Sequence, residues 1–273
     1  MSKAPESLLQ RFRDEKRAAF IPFLVAGDPS IEATERVVDI LVEEGADLLE
    51  LGVPFSDAMA DGPVIQAASE RASKVLGSMG AVLDLAARIH AKHPRLPLIL
   101  FTYYNPIFRL GVAEFARRAQ VSGVSGVLVV DLPPEESKGY RETLDRHGLK
   151  TVFLASPTTA PERLGAISDA STGFVYYVSR TGVTGVQKEL SATLAPELAR
   201  LREKVVRPIA VGFGISTAEQ ARAVARLGDA VVVGSAFVKL MAEPGELSDV
   251  EKRVRVLARE LVAAVRSVVG SKS

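Results

Sequence analysis

Two carboxylates stand at positions where proton transfer is the natural chemistry. Glu50 ends an otherwise apolar run, DLLELG, and Asp61 follows in the segment GVPFSDAMADGP. A carboxyl group at the end of a buried strand loses solvent, which lifts its pKa toward the range useful for general acid/base work. The competing reading of Glu50 is an outward ion pair. For Asp61 it is a cap on the helix that Gly62-Pro63 begins, and Asp57 and Asp131 read equally well as turn residues. Two carboxylates in unlike environments can divide the roles of acid and base. Near the other end of the chain, Gly182, Gly185, Gly212, Gly214, Gly234 and Ser235 fall in SRTGVTG, GFGIS and VGS. Glycine-rich loops ahead of helices let backbone N–H groups approach an anion, so these three loops together suggest a small phosphorylated ligand.

What the chain lacks narrows the reaction. It has no Cys, and its histidines, His90, His93 and His147, all fall near predicted helix ends. That distribution suits dipole partners better than ligands or bases, and it argues against a transition-metal site. No Lys falls in the C-terminal half of a strand candidate; the nearest, Lys239, lies beyond Gly234-Ser235. A Schiff-base mechanism therefore has no nucleophile. With 34 Lys+Arg against 33 Asp+Glu the net charge is +1. That supplies no field for nucleic acid or anionic lipid. No apolar run reaches the roughly 18 residues of a membrane span, and the charged first twenty residues do not read as a signal peptide. The expectation is a soluble cytoplasmic enzyme that uses carboxylates.

The elements that must carry these groups alternate along the chain. Strand candidates are FIPFLVA (20–26), ADLLELG (46–52), PLILFTY (97–103), GVLVVD (126–131), KTVFLA (150–155), FVYYVS (174–179), RPIAVGFG (207–214) and DAVVVGS (229–235). Most lack polar alternates, as strands covered on both faces should. Ser30 caps a predicted helix that Gly45 stops, 79–93 and 112–119 read as helices, and Ser248 with Glu251 forms a capping-box pattern. Leu8, Leu9 and Phe12 suggest an additional amphipathic N-terminal helix. Eight β–α units in about 250 residues predict one (β/α)8 TIM barrel over 1–273. The open doubly wound alternative would carry G-x-G-x-x-G after the first strand, where this chain has AGDPS. In a barrel the candidate groups follow strand C-termini, and Phe23, Tyr103, Tyr176 and Phe213 could wall a pocket for a flat ligand. The long loop after strand six has the composition of a lid.

The segments ELGVPFSDAMADGPVIQ, FTYYNP, VVDLPPEES, VSRTGVTG, VGFGIS and VGSAFVK, in that order, resemble the tryptophan synthase alpha chain family over essentially the whole chain. The resemblance implies retro-aldol cleavage of indole-3-glycerol phosphate to indole and D-glyceraldehyde 3-phosphate. It makes Glu50 the residue that moves protons at the ring carbon and the side-chain hydroxyl. Asp61 becomes the acceptor for the indole N–H. Gly185, Phe213, Gly214, Gly234 and Ser235 would hold the phosphate end, Phe23, Tyr103 and Tyr176 the indole, and Thr184 would close the lid on Asp61. Asp57, Asn105 and Pro106 would face a beta chain in an α2β2 tetramer. No cofactor is implied for this chain, pyridoxal phosphate being expected only in the beta chain. The family pattern SDPLADGP reads SDAMADGP here, so Ala58 stands where proline would restrict the loop. A looser loop is the expectation. Another phosphate-binding isomerase or epimerase, or a non-catalytic regulatory subunit, is the alternative.

Overall fold

The computed structural model describes residues 17–179, 187–212 and 214–268. Among these, eight strands close into a parallel barrel in sequence order. They are β1 (Ala19–Val25), β2 (Leu49–Gly52), β3 (Leu98–Thr102), β4 (Gly126–Val129), β5 (Lys150–Ala155), β6 (Val175–Val178), β7 (Ile209–Gly212) and β8 (Ala230–Val233). All eight predicted strands are present. The eleven α-helices described begin with α1 (Ile31–Glu44), α2 (Pro63–Ser73), α3 (Met79–Lys92) and α4 (Tyr104–Leu110). They continue with α5 (Val112–Val121), α6 (Lys138–Arg146), α7 (Pro161–Ala170), α8 (Gln187–Arg202), α9 (Ala218–Ala225), α10 (Ser235–Ala242) and α11 (Leu247–Arg266). The expected N-terminal helix with Leu8, Leu9 and Phe12 lies outside the described residues.

Alternation along each strand divides the apolar side chains into two cores. In β8, Val231 and Val233 pack outward against the helices, while Ala230 and Val232 point into the barrel. The inner layer also holds Ile21, Leu48, Ile99, Leu128, Val152 and Phe174. With both faces buried, neither has reason to carry polar residues, which is why the strands read as continuous apolar runs. The register then fixes the mouth. Phe23 pairs with Glu50, and Glu50 with Ile99. Because Leu48 belongs to the inner layer, the period of two points Glu50 inward as well, one step nearer the C-terminal end.

Local chemistry explains the helix boundaries, with one exception. The Ser30 hydroxyl accepts from the Ala33 N–H at 3.0 Å, and Gly45, at φ 103°, ends α1 in the left-handed region. The capping box expected at Ser248 and Glu251 does not form. Helix α11 begins two residues earlier with Glu246 at its cap, and Glu251 instead makes a double hydrogen bond with Arg36 of α1 at 2.8 and 3.1 Å. A tertiary ion pair has taken the side chain that local pattern assigned to the helix end. A capping box does occur at Thr217 and Gln220, opening α9.

Phe174 is completely buried and closes the inner layer beneath the mouth. Phe174→Ala should cost roughly 3–5 kcal/mol by urea unfolding, as a large aromatic cavity does. A loss below about 1 kcal/mol would show that the inner layer does not close on this ring.

Candidate active site

A cavity of about 400 Å³ opens at the C-terminal end of the barrel. Its walls are apolar, with Phe23, Phe101, Val130, Leu154, Tyr176, Val178 and Val232 contributed by six different strands or their ends. One side is formed by Ala60, Asp61 and the start of α2; Gly214, Gly234 and Ser235 complete the lining. Gly234 occupies the cap position of α10 and Ser235 its first residue, so the positive end of a helix dipole meets the cavity. Of the expected phosphate and indole groups, Gly214, Gly234, Ser235, Phe23 and Tyr176 thus meet around one space, and Tyr103 does not. Gly182, Thr184, Gly185 and Phe213 lie outside the described residues.

Glu50 is fully buried, and neither carboxylate oxygen has a hydrogen-bond partner. The outward ion pair considered for it is absent. Burial alone pushes its pKa up to about 8. The Tyr176 phenol is held well above its usual pKa, first by burial and then by the negative charges of Glu50 and Asp61, which places all three in one electrostatic neighbourhood. Two glycines make this arrangement possible. A Cβ on Gly52 would stand 2.6 Å from the tip of the Phe23 ring, and one on Gly212 would stand 2.2 Å from the Tyr176 hydroxyl. Gly212, grouped by sequence with the anion-binding loops, is an inner-face residue that makes room for a ring.

Asp61 lines the cavity and does not cap α2, whose cap position belongs to Gly62 with Pro63 as its first residue. Burial raises its pKa, and a hydrogen bond from the Tyr103 hydroxyl to Oδ2 at 3.1 Å works the other way. Tyr103 does not line the cavity as expected; its hydroxyl is used on the loop, also accepting from the Ala60 N–H at 3.0 Å. The loop has further ties. Ser69 of α2 accepts from the Phe55 N–H at 2.7 Å and donates to the Phe55 carbonyl at 3.0 Å. Gln66 Nε2 donates to the Ala58 carbonyl at 3.0 Å, and Ala58 itself is buried. These ties restrain the loop that the Ala58 substitution was expected to loosen. Gln66 and Ser69 were missed by sequence reasoning, although their spacing of three puts them on one helix face.

The remaining polar candidates have other partners. Asp28 is buried and accepts from Nε and Nη2 of Arg71 at 2.8 and 2.9 Å, tying the loop after β1 to α2; burial still raises its pKa. Asp131 accepts from the Tyr104 N–H at 2.7 Å and so anchors the start of α4. Asp57 is exposed and accepts from Ser56 at 2.8 Å. Asn105 and Pro106 line a separate groove of about 450 Å³ with Val53–Ser56 and Arg109. His93 meets Asp39 at 2.7 Å, His147 contacts the Thr143 carbonyl at 2.9 Å, and none of the three histidines lines the cavity.

The raised Glu50 pKa makes a thermodynamic prediction. An unfolded Glu releases its proton near 4.5, whereas the folded one keeps it to about 8. The stability due to neutral Glu50 is therefore complete below pH 4.5 and is lost as pH rises to about 8. The loss is on the order of 4–5 kcal/mol, because each tenfold change in proton affinity is about 1.4 kcal/mol. Glu50→Gln, which has no proton to lose, should gain that much on the wild type as pH rises, measured by urea unfolding. Parallel stability curves for the two proteins would overturn the assignment.

Residues 9–266 match the family model described as tryptophan synthase alpha chain. The tryptophan synthase alpha chain of Geobacter sulfurreducens is 44% identical over 259 residues, covering 95% of this chain and 96% of that one. That of Gloeobacter violaceus is 51% identical over 228 residues, covering 83% and 82%. Among solved structures, the Legionella pneumophila alpha chain superimposes with a TM-score of 0.85 at 36% identity, covering 96% of each chain. A chain from the Pyrococcus furiosus tryptophan synthase α2β2 complex gives 0.84 at 40% identity, covering 91% of this chain and 99% of its own. The carboxylate pair and closed barrel occur in a chain that belongs to the tryptophan synthase alpha chain family.

Proposed function

We infer that this chain performs the lyase reaction of its family, cleaving indole-3-glycerol phosphate to indole and D-glyceraldehyde 3-phosphate. The observation that carries the reading is a fully buried, partnerless Glu50 whose strand partner Phe23 lines an apolar cavity that also has Asp61 in its wall. A pKa of about 8 keeps Glu50 protonated at neutral pH, ready to act as an acid. In the reaction a proton is added to ring carbon C3, the adjacent side-chain hydroxyl loses its proton, and the carbon–carbon bond breaks. The bonding pair returns to the ring, and the hydroxyl carbon becomes the aldehyde. One proton moves from oxygen to carbon, no water or redox partner is consumed, and a single carboxyl group can give the first proton and take the second. Asp61 accepts the indole N–H and balances the ring cation that exists between those steps. The ring itself receives the electrons, in keeping with a sequence that offers no lysine in the C-terminal half of a strand.

On this reading Phe23 and Tyr176 bound the indole. Gly214, Gly234 and Ser235, with Gly185 and Phe213, hold the phosphate against the dipole of α10. Thr184 closes over Asp61. Asp57, Asn105 and Pro106 face a beta chain in a cytoplasmic α2β2 assembly. Pyridoxal phosphate belongs to that partner, which converts the indole to L-tryptophan.

The test follows indole appearance from purified chain and indole-3-glycerol phosphate, with and without a beta chain. The chain contains no Trp, so product indole fluoresces without a tryptophan background. Glu50→Gln should lower cleavage by roughly 10²–10⁴, the usual contribution of general acid–base catalysis. Cleavage by Glu50→Gln at the wild-type rate would remove the assigned role.

A further inference from the structure

We propose that Tyr103 is the positioning residue of Asp61, acting through its hydroxyl on the loop and not as a wall of the cavity. The proposal rests on the cleavage reaction inferred above and names a determinant of that same site. Tyr103 follows β3 directly, at the cap position of α4, and is 5% exposed. Its ring packs on Phe55 with centroids 5.1 Å apart, while the cavity lining contains neither ring. One oxygen holds two consecutive residues, accepting from the Ala60 N–H at 3.0 Å and donating to Asp61 Oδ2 at 3.1 Å. The loop end that carries Asp61 is thereby tied to the barrel itself, through a residue adjoining a strand.

Two chemical consequences follow. The bond occupies Oδ2 and fixes the carboxylate plane, leaving Oδ1 for the ring N–H. It also favours the ionised form, opposing the burial that raises the Asp61 pKa. Burial and the nearby Asp61 charge raise the phenol pKa, with a smaller contribution from Asp131, so the hydroxyl keeps the proton it donates. The groups around Asp61 are Tyr103 from the β3 end, Tyr176 from β6 and Glu50 from β2, the last two sharing its electrostatic neighbourhood. Among these only Tyr103 is bonded to Asp61, so its loss should be felt as a change in Asp61 specifically.

The experiment compares wild type, Tyr103→Phe and Gln66→Met as full chains. Wild-type cleavage of indole-3-glycerol phosphate is measured first; its absence defeats the inferred reaction, whereas every other outcome bears on Tyr103 alone. Tyr103→Phe keeps the ring and its packing. It should lose roughly tenfold in kcat/KM, the scale of a hydrogen bond to a charged group. The acid limb of its kcat/KM profile should move to higher pH, because Asp61 becomes harder to ionise. Binding of glycerol 3-phosphate should remain as in the wild type, since Tyr103 does not touch the cavity. Gln66→Met breaks a loop tie to the Ala58 carbonyl, which the Asp61 N–H shares but the Asp61 carboxylate does not, and should leave the acid limb in place. The proposal is overturned if Tyr103→Phe lowers only the melting temperature, if its loss lies in glycerol 3-phosphate affinity, or if both variants move the acid limb equally.

Discussion

A carboxyl group with no hydrogen-bond partner inside a parallel barrel is the constraint around which the mouth is arranged. Glu50 is held by β2, whose neighbours on both sides are strands, so the position of its Cα is set by backbone hydrogen bonds that no loop can relax. Its side chain can neither turn outward without crossing the pleat nor find water within the inner layer. A charge in such a place is costly, and the group responds by holding its proton. The apolar side chains below it are therefore part of the chemistry as well as the core. They hold off the solvent that would return Glu50 to an ordinary carboxyl.

The glycines of the mouth serve the same end. Phe23 and Tyr176 are large rings at the mouth near Glu50, and the space for them comes from neighbours without Cβ atoms. Gly52 and Gly234 border Phe23, and Gly212 borders Tyr176. Each belongs to a strand end or its immediate exit, where backbone position is firm and the missing side chain leaves a definite volume. A flexible loop could not hold such a volume against a displaced ring. Asp61 is treated differently. It comes from the long segment after β2 and acquires its position from Tyr103 and, through the rest of the loop, from Gln66 and Ser69 of the helix that follows.

The strands, the barrel and the places of Glu50 and Asp61 were legible in the sequence because each depends on a local signal. Continuous Val, Ile and Leu runs reveal strands covered on both faces, and an isolated Glu at the end of such a run has few places to go. What escaped reading depends on pairings across the fold. Glu251 sits in a good capping pattern, yet Arg36 of α1 takes it, and no local rule anticipates a partner 215 residues away. Asp28 is held by Arg71, a partner 43 residues away that the turn after the first strand does not announce. Tyr103 was assigned to the correct region with the wrong surface, since periodicity identifies the end of a strand but not which way a hydroxyl reaches from the cap beyond it. Gly212 shows the same limit, because a glycine is equally good at approaching an anion and at yielding space to a ring.

The two carboxyl groups show how one site can need a proton and a charge at once. Glu50, buried among apolar side chains, holds its proton to about 8, whereas at Asp61 a hydrogen bond donated by Tyr103 opposes the burial that raises its pKa. Had both been ionised, their repulsion inside the barrel would oppose closure of the site. Had both been neutral, nothing would face the cationic ring that forms when C3 is protonated. On the proposed function, proton transfer from Glu50 to the ring creates one positive charge on the ligand and one negative charge on Glu50, with Asp61 already in place. On that reading the ring cation stands against the new Glu50 carboxylate and the Asp61 carboxyl group, and Glu50 becomes the base required by the hydroxyl. The order of events is set by environment, since a solvated Glu at position 50 would begin the cycle without the proton that the first step requires.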